Sequence, residues 1–238
     1  MEIKKITDLI ENFAPLELQE AWDCSGFQIY KGGLGNPPYD DVNKILLCLS
    51  VTLDIVNQAI KNNCDMIIAH HPRFFIPLEF NKNIPIYSVH TNLDKADGGT
   101  TDTLVDVLGF SKAQKIGDFL RLIDLEKEIP LDTFINILKS KLNLSNVRIV
   151  NNFKKDKIKK IAFCAGSGAD LLCEAEQIGA DIFVTGDVKF HTALESNVII
   201  ADIGHFESEI PVIKRVKSLL GNELEVIIAD EESPFINC

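Results

Sequence analysis

The residues of this chain best suited to chemistry are its histidines and the carboxylates spaced near them. His70 and His71 stand side by side after Met66-Ile67-Ile68-Ala69, an apolar run closed by Pro72 that reads as a buried strand delivering two imidazoles at its carboxyl end. Open α/β sheets keep their sites there. Side chains of neighbouring strand residues point to opposite faces, so the two rings converge only if the backbone leaves strand geometry, which Pro72 favours by removing a ladder donor and holding His71 extended. Asp94 falls just past a second expected strand, in Val89-His90-Thr91-Asn92-Leu93-Asp94. His205 and Glu209, in Gly204-His205-Phe206-Glu207-Ser208-Glu209, follow a third and share one face of the helix they open. Three imidazoles and two carboxylates so placed would suit two first-row divalent ions, with a carboxylate or water bridging them. Zn, Fe and Mn are each compatible with such ligands. Each piece has a plainer alternative: surface imidazoles at a strand end, or a surface i,i+4 pair at a helix start. Their shared position after strands is what points to a site.

Elements able to hold these residues are legible in the spacing. Ile3, Ile6, Leu9, Ile10 and Phe13 predict a first helix that Pro15 ends. Strands at 44–51 and 65–69 flank a helix at 53–62, a βαβ unit implying a parallel pair, and a further strand spans 84–91. Gly98-Gly99 permits an unusual turn, and Thr100 or Thr101 can cap a helix running through Leu108. A short element at 119–123, a helix at 131–142 and a strand at 147–150 form a middle section without evident chemistry. Strands at 158–164, 181–185, 198–202 and 224–229 then alternate with helices ending near Ile178, at 187–195 and at 206–219. Gly32 to Pro38 reads as an exposed loop. The expected organisation is two α/β lobes, 1–120 and 121–238, or one intertwined domain.

Composition narrows the function. The 238 residues are 46% hydrophobic, ample for a core, and the net charge of −11 opposes general nucleic-acid binding, which depends on cations neutralising phosphate. The one basic run, 153–160, reads as a solvated edge or turn. No apolar run approaches the roughly 18 residues of a membrane helix, and the start lacks a secretory h-region, so a cytoplasmic protein without a membrane partner is expected. Six cysteines show no C-x-x-C pair and read as reduced and structural.

The chain resembles the NIF-three-like family, also called dinuclear-metal-centre proteins or GTP cyclohydrolase I type-two homologues. The likeness runs over nearly the whole length in order: Trp22-Asp23-Cys24-Ser25-Gly26-Phe27-Gln28, Ala69-His70-His71-Pro72, His90-Thr91-Asn92-Leu93-Asp94, Gly98-Gly99, Gly166-Ser167-Gly168, Thr185-Gly186-Asp187-Val188-Lys189-Phe190-His191 and Gly204 to Glu209. The resemblance implies that His70, His71, Asp94, His205 and Glu209 bind two metal ions, with one carboxylate bridging. It implies a three-layer α/β fold of two similar lobes, the site in the cleft between them, and a ring-shaped homohexamer. The chain is similar to short members lacking an inserted middle domain. At Cys24-Ser25 it departs from the more usual Asn followed by Val or Ser, a position that holds no ligand.

The function expected is a dinuclear-metal-dependent hydrolase of a nucleotide-like small molecule, GTP ring opening being what the family's name suggests. The alternative is a non-catalytic metal-binding or adaptor protein. His90 and His191 are candidate catalytic residues, to orient a ligand, transfer a proton or face substrate, or else are structural histidines. The Gly166-Ser167-Gly168 turn and Lys189 are candidates to hold a substrate phosphate, though such a turn also serves as an ordinary strand-to-helix connection.

Overall fold

The structure is a computed structural model describing residues 1–29, 41–73 and 84–235. The expected loop at Gly32 to Pro38 lies outside the described residues. Two compact units are present, Met1–Gly99 with Val212–Glu232, and Thr100–Pro211 with Ser233–Cys238. The last helix and strand belong to the first of these units.

The first stretch carries α1 (Ile3–Glu11), β1 (Gly26–Ile29), β2 (Lys44–Cys48), α2 (Leu53–Lys61), β3 (Met66–Ala69), β4 (Ile86–Ser88) and α3 (Thr91–Lys95). The second unit follows with α4 (Thr100–Leu108), β5 (Gln114–Ile116), β6 (Leu120–Pro130), α5 (Leu131–Leu142), β7 (Arg148–Val150), β8 (Lys157–Phe163), α6 (Leu172–Gln177), β9 (Ile182–Thr185), α7 (Phe190–Glu195), β10 (Ile199–Asp202) and α8 (His205–Glu209). The chain then re-enters the first unit as α9 (Val212–Leu220) and β11 (Glu225–Ile228).

In the first unit the strands run β1-β4-β3-β2-β11, parallel except for β1. The parallel β2–β3 pair is the one expected around α2, whose N-cap Thr52 accepts a hydrogen bond from the Ile55 N–H. All of Met66–Ala69 is buried, as a central parallel strand requires. Leu46, Cys48, Ile67 and Ala69 pack with Ile55, Val56 and Ala59 of α2. β11 pairs with β2 in parallel, and α9 packs on α1, which is why residues 212–232 belong to this unit.

The second unit's sheet runs β5-β6-β8-β9-β10-β7, with β8, β9 and β10 parallel and the outer strands antiparallel. Alternation divides its side chains between two cores. Ile161, Phe163, Ile182, Val184 and Ala201 pack with Phe134 and Leu138 of α5, whereas Ala162, Phe183 and Ile200 pack with Leu172 and Ala175 of α6. The short element expected at 119–123 is the start of the eleven-residue β6. The single helix expected at 206–219 is broken into α8 and α9 at Pro211, which cannot donate to a helix and clashes with the preceding turn.

Among the described residues no helix is long and apolar enough to cross a membrane. Cys48, Cys64 and Cys164 are buried like small hydrophobes, and no disulfide joins the described cysteines.

Candidate metal centre

Within the first unit, β3 ends at Ala69 and the backbone bends at His70 and His71, as their convergence requires. The two N–H groups still donate to the Cys48 and Leu49 carbonyls. The ring centroids lie 4.9 Å apart. His70 is 1% exposed, and its Nδ1 lies 2.8 Å from the Val89 carbonyl oxygen. A carbonyl only accepts, so Nδ1 is the donor and Nε2 lies on the far side of the ring. That nitrogen is 3.5 Å from Oδ1 of Asp94. His71 Nδ1 is 2.7 Å from the Ser50 hydroxyl, which orients the ring.

Asp94 arrives on a helix rather than directly after a strand. β4 stops at Ser88, and α3 begins at Thr91, because Thr91 is captured by Asp23: its N–H and its hydroxyl donate to Oδ2 at 3.1 and 2.5 Å. The other oxygen of Asp23 stands 3.0 Å from Nδ1 of His90. Burial pushes the Asp23 carboxyl up, but hydrogen bonds from Thr91, His90 and Cys24 outweigh it and hold the pKa below the ordinary value. His90 thus joins the group, its ring centroid 5.3 Å from His70 and 5.6 Å from His71, with the exposed Trp22 edge-on at 6.0 Å.

Within the second unit, His205 opens α8 and lies between two carboxylates. Nδ1 is 2.7 Å from Oδ2 of Asp187, and Nε2 is 3.0 Å from Oε2 of Glu209. The Glu209 hydrogen bond, opposed by burial and assisted by Asp187, raises the pKa of His205 to about 9. Asp187 reaches the ring from a left-handed backbone, φ 56°, rare for a residue with a side chain and often found at functional sites. Glu209 is only 5% exposed. Gly166, φ 68°, makes room for it: a Cβ there would stand 2.1 Å from Oε1.

The remaining candidates are more dispersed. Of the Gly-Ser-Gly turn, the Gly166 N–H donates to the Ser208 hydroxyl and the Gly168 N–H to that of Thr185, so these two amides are committed inside the protein. Ser167 and Lys189 are exposed. His191 is exposed on α7, its ring 5.5 Å from that of Phe190, itself 71% exposed. Beside His205 the second unit opens a cavity of about 470 Å³, lined among others by Asn146, Arg148, Asp187, Glu207 and Phe235.

The donor set fits a divalent transition ion. His70, His71 and His90 form a group able to hold a metal ion, and in each of these rings, as in His205, Nδ1 is occupied by a neighbouring oxygen. Metal-binding histidines are typically oriented by such a bond through the other nitrogen. Asp23, Ser50 and Asp187 supply three of these four bonds, and none was singled out by residue type and spacing.

Comparison with known proteins gives concordant results. The family model for Duf34/NIF3 (NGG1p interacting factor 3) matches residues 1–234. A "GTP cyclohydrolase 1 type 2 homolog" of Clostridium perfringens is 33% identical, the match covering 99% of each chain. A "GTP cyclohydrolase 1 type 2" of Helicobacter pylori is 30% identical over 87% of this chain and 86% of that one. Among solved structures, the Staphylococcus aureus hypothetical protein SA1388 superposes with a TM-score of 0.88 at 25% identity, covering 100% of this chain and 99% of that one.

Proposed function

The chain belongs to the Duf34/NIF3 family, and from its oriented imidazoles and buried carboxylate we infer a metal-dependent hydrolase of a nucleotide-like substrate, GTP being the first to try. The observation carrying this reading is that four imidazoles are each oriented through Nδ1 by a neighbouring oxygen, the bond by which metal-binding histidines are typically held.

The ligands proposed are His70, His71, Asp94, His205 and Glu209, serving two ions of Zn, Fe or Mn. Two such ions, when bound, lower the pKa of water and stabilise negative charge developing on an opposite oxygen. The chain's own residues supply the rest. Ser50 and Asp187 hold His71 and His205 in place, and Gly166 lets the Glu209 carboxylate take its position. For proton transfer the chain offers His90 and His191. For phosphate it offers Ser167 and Lys189, both exposed, in preference to the committed amides of Gly166 and Gly168. The cavity beside His205 falls within the ~300–1,000 Å³ range of small-molecule sites. The names of the Clostridium perfringens and Helicobacter pylori relatives support GTP as the test substrate.

A closed homohexamer of about 159 kDa, from six chains of 26.5 kDa, completes the proposal, and light scattering reads that mass directly. The hydrolase reading is tested by following loss of GTP absorbance with metal-loaded protein. Wild type turns over, and Glu209→Gln, which keeps the shape but removes the charge, falls to background. Equal background rates for both, on GTP and on a nucleotide panel, would transfer the site to a non-catalytic metal-binding or adaptor protein.

A further inference from the structure

The five ligands proposed above leave out His90, yet the first unit holds that ring as firmly as it holds His70 and His71. Its backbone N–H donates to the Ser25 hydroxyl at 3.1 Å and to Oδ1 of Asn92 at 3.0 Å. Its Nδ1 meets a carboxylate whose side chain is 0% exposed and which also accepts from Cys24, Ser25 and Thr91. Asp23 with so many donors is an anion in place, so Nδ1 of His90 donates to it and Nε2 lies on the other side of the ring. One ring nitrogen from each of His70, His71 and His90 lies within 4.8 Å of the other two. Small ring rotations close that spacing around an ion bonding each nitrogen at about 2.0–2.1 Å.

We propose that His90 is a metal ligand, and that the first unit by itself binds one divalent ion through His70, His71 and His90, with Asp23 as the positioning residue for the His90 ring. The inference rests on the metal-centre reading above and adds a ligand to it. Three imidazoles beside Asp94 select a borderline transition ion such as Zn, Co or Fe over Mg or Ca, which require oxygen ligands. Ligation engages Nε2 of His90 and leaves proton transfer to His191.

The test uses the full chain carrying His205→Ala and Glu209→Gln, titrated with Co(II) alone. The parent double variant takes up one Co(II) and shows three exchangeable, strongly shifted imidazole N–H resonances, one for each Nδ1 of His70, His71 and His90. Adding His90→Ala weakens Co(II) binding by about 10–100-fold and removes one resonance, and adding Asp23→Asn weakens it by about tenfold while keeping three. Two resonances in the parent, or Co(II) affinity unchanged by His90→Ala, overturns the assignment of His90 and leaves the five-ligand reading standing. The resonance count needs no substitution at His90, so misfolding of that variant does not blur the result. Failure of the wild-type chain itself to bind Co(II) overturns the metal reading and this inference with it.

Discussion

The Cα of Gly166 faces the carboxylate of Glu209 so closely that a Cβ would stand 2.1 Å from Oε1 and 3.0 Å from Cδ. The contact leaves no room for a side chain, and φ of 68° disfavours one independently. Gly166→Ala is expected to cost about 1–3 kcal/mol of stability and to displace Glu209. Chemical denaturation reads the first effect. Metal titration reads the second, with affinity falling about 10–100-fold as for loss of a group that orients a ligand.

His205 gives the metal-free protein a pH-dependent stability. Its folded pKa, about 9, exceeds the ordinary 6.5, so protonation favours the folded state. That contribution is fully present below pH 6.5 and is lost as the pH rises through about 9. Chelator-treated wild type should therefore exceed His205→Gln in Tm by most at acidic pH, the gap closing above about pH 9. Metal binding runs the other way, because an ion must displace the Nε2 proton, so affinity rises over the same interval. A Tm difference independent of pH contradicts the assignment of the raised pKa to this ring.

Arg121, 1% exposed, is held by Asp102 through two hydrogen bonds, Nε to Oδ1 at 2.7 Å and Nη2 to Oδ2 at 2.8 Å. Removing one partner strands a buried charge. Asp102→Ala is expected to destabilise the protein by about 3–5 kcal/mol, and the double variant Asp102→Ala/Arg121→Met to recover much of that loss. Urea midpoints of the two variants decide it, and a double variant no more stable than the single one contradicts the buried-charge account.

The parts of this site legible in the sequence are those set by local pattern. The apolar run before His70-His71 fixes a central strand, and Pro72 marks where it stops, so the paired imidazoles are found at a strand end as expected. Their partners depend on pairing between distant segments. Cys48 lies opposite Ala69 in the parallel register, which carries Ser50 alongside His71 two residues further on; without the register, Ser50 is one serine among many. Asp23 was visible within a motif but its role was not, because the contacts that define it reach Thr91 and His90, 68 and 67 residues away. The same contacts turn Thr91 from an expected strand end into the first residue of α3. The break before α9 departs from the single helix that the spacing over 206–219 predicts, because Pro211 stands inside that run. Return of β11 to β2 was not legible, because an apolar strand of four residues does not specify which sheet it joins.

The central claim is that this chain is a metal protein using His70, His71, Asp94, His205 and Glu209, and metal content per chain tests it most directly. Elemental analysis of protein from metal-replete growth is predicted to find about two transition-metal ions per chain, since five ligands exceed what one tetrahedral ion takes. The combined His70→Ala/His205→Ala variant is predicted to lose most of them. Content near zero in the wild type, or content unchanged in that variant, contradicts the account.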